Sequence, residues 1–204
     1  MQTSTRKSGF STRAKWIGLA MVGVLALSGC KSTKETLQIG DAGEKNPGPC
    51  PRAFALYDAA RIVEFRGQAQ RFDNVGFTGE VLNVRSLCRY YSTEPIVADL
   101  DLTFELGRGP AASAQDTATY EYFVAVTRKN AAVIEKQTFP LQVTFPAGKD
   151  RITVVETIDK IVIPRATETT SGVNFEIVVG FVVTPEQRDF NAQGKRFRIN
   201  AGQN

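Results

Sequence analysis

Histidine does not occur anywhere in the 204 residues. Without an imidazole base, Ser-His-Asp and Cys-His nucleophilic catalysis are excluded. Imidazole ligation of zinc, copper and haem iron goes with them. Tryptophan occurs once, methionine twice and cysteine three times. Trp16, Met1 and Met21 all precede Cys30, so the chain beyond that cysteine has no His, Met or Trp. Sugar-binding surfaces usually stack their ligands on Trp, and that platform is missing. There is no P-loop and no G-x-G-x-x-G run. The "GRGP" at 107–110 is too short to cradle a phosphate and ends in proline, so it reads as a turn. Long apolar runs are missing too. The stretch Trp16–Leu27 has twelve residues, against the roughly 20 that a bilayer-spanning helix needs.

The basic excess is equally local. The chain carries 25 Lys+Arg against 21 Asp+Glu. Arg6, Lys7, Arg13 and Lys15 lie before Cys30 with no acidic residue among them, so the remainder has 21 of each sign. A basic balance is the footprint of nucleic-acid or anionic-surface binding. Here it belongs to the leader, and no nucleic-acid partner is expected.

What is present begins with that leader. A positive n-region, a short apolar core and then Leu27-Ser28-Gly29-Cys30 follow in order, the layout of a secretory signal. The last four residues resemble the lipobox of bacterial lipoproteins. The resemblance implies a signal peptide over 1–29, cut just before Cys30. It implies a diacylglycerol on the Cys30 thiol and a further acyl chain, such as palmitate, on the new amine. Several chains give stable anchoring, because each buried CH₂ adds about 0.8 kcal/mol. Lys31 and Ser32 follow where an aspartate would retain such a protein in the inner membrane of a Gram-negative cell. The implied destination is the outer membrane, with the domain facing the periplasm. Two stretches, "GFVVTPEQRDFN" and "YFVAV", are also similar to segments of uncharacterised proteobacterial lipoproteins, a likeness that carries no function.

With Cys30 committed to lipid, Cys50 and Cys88 remain as an even pair in an oxidising compartment. A disulfide between them closes a loop worth about 4 kcal/mol in the chain-entropy account. Residues 30–49 read as the lipidated cysteine and a flexible tether. Lys31–Pro49 is polar, Gly- and Pro-containing and too poor in apolar residues to order itself, with a coil reach of about 24 Å.

From residue 50 to 190 the pattern is alternation. Ile96, Ala98, Leu100, Leu102, Phe104 and Leu106 share one face, and Asp99, Asp101, Thr103 and Glu105 the other, which predicts a half-buried strand. Val173, Phe175, Ile177, Val179, Phe181 and Val183 repeat it, with Val178 and Val182 pointing to burial on both faces. Strands are expected at 53–57, 61–66, 77–89, 120–127 and 133–138, with "RKNA" at 128–131 as a hairpin turn. Pro140 should interrupt the strand that Leu141, Val143 and Phe145 resume. Arg151–Ile163 is β-branched, yet Val155, Ile158, Ile161 and Val162 also fit helical spacing; its composition favours one or two strands. Thr184-Pro185 starts a short helix that Gly194 ends. Residues 191–204 read as a frayed tail. About eight short strands predict an all-β antiparallel sandwich, immunoglobulin-like or fibronectin-like, with a closed barrel as the other option.

Chemistry is sparse. Asp99, Asp101 and Glu105 form a carboxylate ladder that could face Ca²⁺ but reads better as a solvated face, so no metal and no cofactor are expected. Glu64, Glu80, Glu121 and Glu176 are isolated surface charges. Tyr120 and Tyr122 share parity with Val124 and Val126 and belong in the core. Tyr90 and Tyr91 are the one candidate sugar platform. The expected function is a non-catalytic outer-membrane lipoprotein whose sandwich mediates protein interaction or envelope-complex assembly. The alternatives are a glycan-binding or cell-wall-binding module and, behind it, a hydrolase using two carboxylates.

Overall fold

The computed structural model describes residues 48–199. The segments expected to be signal peptide and tether, with Cys30, lie outside the described residues as far as residue 47, as do residues 200–204. Eight strands and one helix follow in order: β1 (Arg52–Ala55), β2 (Arg61–Phe65), β3 (Val75–Arg89), β4 (Ile96–Arg108), β5 (Thr117–Arg128), β6 (Val133–Thr144), β7 (Arg151–Ile163), β8 (Phe175–Phe181) and α1 (Pro185–Ala192). Two four-stranded sheets form, ordered β1-β8-β5-β6 and β2-β3-β4-β7. The sandwich is all-β and antiparallel except for one pair, since β1 runs parallel to β8. The architecture is the expected one, while the chain visits its strands in a different order from the ABED and CFG sheets of a constant domain.

The core follows from parity. The six even-numbered residues from Ile96 to Leu106 are each 0% exposed. They face Tyr120, Tyr122, Leu141, Val143, Phe175, Ile177, Val179 and Phe181 of the opposite sheet. Phe104 lies between Tyr122 and Phe181, ring centroids 5.1 and 5.5 Å away. Burial pushes the Tyr120 and Tyr122 phenols up, Tyr122 to about 12, so both stay neutral as packing residues. β8 is central, fully buried on its inner face and only half-buried at Glu176 and Val178 on its outer one. On its outer side Val178 packs on Ala59, Phe123 and Ala125. Val173 and Val182 fall outside the strand and are exposed.

Three expectations are corrected. Pro140 does not interrupt β6, which runs unbroken to Thr144. It pairs with Glu121, whose carbonyl accepts from the N–H of Val182, the residue just after β8. The Glu121–Pro140 pair is therefore not hydrogen-bonded, and the proline nitrogen faces the free edge of β6, where no ladder bond is lost. The turn read at 107–110 starts later, because Gly107 and Arg108 still belong to β4.

The third correction is the tail. Residues 195–199 are an extended strap, not a frayed end. Phe197 and Ile199 join Val63, Phe65, Val75 and Phe190 in a small second core, and the alternate residues Arg196 and Arg198 reach Glu80 and Glu105. Gly107 makes room for it: a Cβ there would sit 2.7 Å from the Ile199 side chain. The turn into the strap passes through Gly194 at φ 72°. Before it, α1 opens with a capping box between Thr184 and Gln187 and with Pro185 in its first turn, as read from the sequence.

Candidate functional site

Each sheet ends in a strand with a free side. β1 and β2 bound one side of the sandwich. There the 57–59 turn and α1 pack over the gap, and Asn191 donates to the Asp58 and Arg61 carbonyls at 2.9 and 2.7 Å. β6 and β7 bound the other side. Between them lies an open slot of about 250 Å³. Its inner wall is apolar, built from Val124, Val126, Phe139, Ile158 and Ile161. Phe139 stacks on Tyr122 at 5.3 Å.

The polar rim arises from two local features. In β6, Glu135 and Gln137 share the inward parity of Phe139 and Leu141, and Gln137 Nε2 donates to Glu135 Oε1 at 2.6 Å. In β7 the residue count slips. Leu100 pairs with Ile158 and Ala98 with Ile161, so Asp159 and Lys160 together oppose Asp99. This is a β-bulge. Lys160 takes the left-handed φ of 61°, and its N–H donates to Asp99 Oδ1 at 3.0 Å. The extra residue turns both Ile158 and Ile161 inward. The Ile158–Ile161 step of the helical spacing seen in the sequence is this bulge, whereas Val155 and Val162 lie on the exposed face, and Arg151–Ile163 is a single strand. A non-glycine residue in that conformation costs of order 1 kcal/mol, the kind of local strain found beside ligand sites.

The carboxylate ladder is dispersed. Asp99 and Glu105 lie six residues apart on one strand, about 20 Å. Asp99 caps the bulge, and Asp101 accepts from Thr157 Oγ1 at 3.0 Å. Glu105 accepts from both Nε and an Nη of Arg198, at 2.7 and 2.9 Å. That hydrogen-bonded guanidinium holds the Glu105 carboxyl below its usual range against the opposing effect of burial. Among the described residues no group of three His, Cys, Asp or Glu side chains converges as a metal site.

At the end where the chain enters, Cys50 and Cys88 form a disulfide, Cα atoms 5.7 Å apart. It joins the residues before β1 in one sheet to β3 in the other. The two adjacent tyrosines part company there. Tyr90 is 2% exposed and Tyr91 48%, so no two-ring platform forms. Tyr90 Oη donates to the Pro49 carbonyl at 2.9 Å and accepts from Gly172 N–H at 3.2 Å. Arg165, which no sequence motif marks, lies over the Tyr90 ring at 4.8 Å. It donates to the carbonyls of Tyr91, Ser92, Glu94, Glu168 and Thr170, clamping the 164–174 loop to the β3–β4 turn.

No protein-family model matches this chain, and no curated protein matches it.

Proposed function

We propose that this protein is a non-catalytic, lipid-anchored component of the outer membrane, facing the periplasm, whose sandwich binds an envelope protein partner through the β6–β7 slot. The observation that carries the reading is the slot: an apolar wall of core residues left open to solvent, with Glu135, Gln137 and Lys160 at its rim. A pocket of apolar walls with a few convergent polar groups is the usual form of a binding site. Its occupant is a short extended segment of the partner, one apolar side chain against Phe139 and Ile161 and polar groups on the rim. The glycan reading loses its support with the burial of Tyr90. The lipid anchor rests on the Leu27–Cys30 resemblance, and the membrane on Lys31.

A photoreactive residue at Gln137 tests the partner. Crosslinking in cells should give one discrete protein adduct that the same residue at Arg71, outside the slot, does not give. Identical products from both positions would remove the slot from the reading. The anchor has its own test. Cys30→Ser should abolish fatty-acid incorporation, and Lys31→Asp should move the protein to inner-membrane fractions.

A further inference from the structure

The β5–β6 hairpin is unlike the other turns of the molecule. Residues 128–138 are exposed without a break, eleven in succession. They read "RKNAAVIEKQT". The turn itself is well defined. Arg128 N–H donates to Ala132 O at 2.9 Å, Lys129 N–H to Asn174 O at 2.8 Å, and Asn130 takes φ 59°. An ordered hairpin tip therefore presents Ala131, Ala132, Val133 and Ile134 to solvent, with Val133 60% and Ile134 45% exposed. Arg128, Lys129 and Lys136 flank them. Among the described residues none of these three cations is in an ion pair, and Lys136 stands over the Phe123 ring at 4.3 Å. The nearby Glu135 turns inward to Gln137. Lys129 and Asn130 form the turn itself, and the apolar run Ala131–Ile134 follows it, with cations on both sides, Arg128 and Lys129 before it and Lys136 after it.

Its place in the fold supplies the partner. Glu176 of β8 pairs with Arg52 of β1 on one side and with Thr127 of β5 on the other. The point where the chain enters the sandwich and the base of the hairpin are thus at the same end, two strands or about 10 Å apart. On the reading of Cys30 as the anchor, the chain that links it to the sandwich enters at this end.

We propose that the β5–β6 tip rests in the interface of an anionic lipid surface, Val133 and Ile134 among the headgroups and Arg128, Lys129 and Lys136 on the lipid phosphates. This rests on the reading of Cys30 as the anchor. Near such a surface each cation strengthens attachment by about five-fold, and the short apolar segment adds a shallow insertion.

The chain beyond Cys30 lacks tryptophan, so one introduced there reports alone. Val133→Trp protein is purified from membranes, its acylation at Cys30 checked by mass, and reconstituted into vesicles of phosphatidylethanolamine and phosphatidylglycerol. Its emission should be blue-shifted, shielded from aqueous iodide and quenched by bromine on the acyl chains. Lys149→Trp, in the β6–β7 turn at the far end, should stay in water. Adding Lys129→Glu and Lys136→Glu to Val133→Trp should return the emission to that of the exposed control. Ala132→Trp repeats the measurement one residue nearer the turn. Acylated protein in which Val133→Trp and Ala132→Trp are as accessible to iodide as Lys149→Trp would overturn this placement alone. An unacylated Cys30 would overturn the anchor reading and the placement with it.

Discussion

The two long sides of this sandwich are built to opposite specifications. On the β1–β2 side the gap between sheets is closed twice over. A disulfide crosses it and α1 covers it, and the strap of residues 195–199 extends that cover onto the outer face of the β2-β3-β4-β7 sheet, where Phe197 and Ile199 pack with Phe190 of α1. On the β6–β7 side no described residue covers the gap, and Phe139, Ile158 and Ile161 remain half-exposed. Both sides use the same residue types, so hydrophobicity does not separate them. What differs is whether the chain continues past the edge. A side that folding could have sealed and did not is where a partner's surface is expected.

The largest test of this contrast pairs two phenylalanines. Phe190→Ala on the closed side should cost about 3–5 kcal/mol, the range for a buried aromatic. Phe139→Ala on the open side should cost less than about 3 kcal/mol, because water already reaches that ring. Denaturant unfolding measures both, and equal losses would abolish the distinction.

Replacing Cys50 and Cys88 together by Ala should cost at most about 4 kcal/mol. Loss of the cross-link should also raise amide exchange in β1 and the neighbouring end of β3 while leaving β6 and β7 unchanged. Exchange that rises uniformly would mean the disulfide acts on the unfolded chain alone.

Lys160→Gly is a smaller change of opposite sign. Glycine takes φ 61° without strain, so stability should rise by up to about 1 kcal/mol, whereas Lys160→Val should fold less stably. If the bulge exists to shape the slot, both variants keep the β7 register, and Lys160→Gly keeps the Gln137 crosslink. A Lys160→Gly variant less stable than the wild type would mean its side chain holds the bulge.

The smallest effect concerns the strap. Glu105 has its folded pKa lowered by Arg198, so the pair stabilises fully above the unfolded carboxylate pKa. That contribution disappears as pH falls through the lowered folded value. Arg198→Met should therefore cost about 1 kcal/mol or less at neutral pH and nothing in acid. A difference from wild type that persists in acid would assign Arg198 a packing role instead.

Parity made most strands legible. β4 is readable residue by residue because one face is buried and the other wet, and two-fold alternation records that directly. The slot was not legible, since it depends on which strands lie at the edges, and strand order leaves no mark on alternation. The bulge left a mark that reads two ways: an inserted residue converts period two into the i, i+3 spacing of a helix. The strap was missed because alternation over five residues is too short to stand out in a charged tail. Tyr90 and Tyr91 look equivalent in sequence, and only the turn after β3 sends one ring inward.

The Cys50–Cys88 bond also decides how the domain carries mechanical load. A pull on the chain upstream of residue 48 would otherwise act on β1, a four-residue strand with a single neighbour. The sulfur bridge diverts it at Cys50, before β1 begins, into β3, fifteen residues long and paired with β4 from Phe77 through Arg89. Tension arriving through the N-terminal chain is then borne by the long β3–β4 ladder, and β1 with its parallel partner β8 is spared. Under force the oxidised protein should hold as one unit, whereas the reduced protein should first lose β1 as a separate, weaker yield.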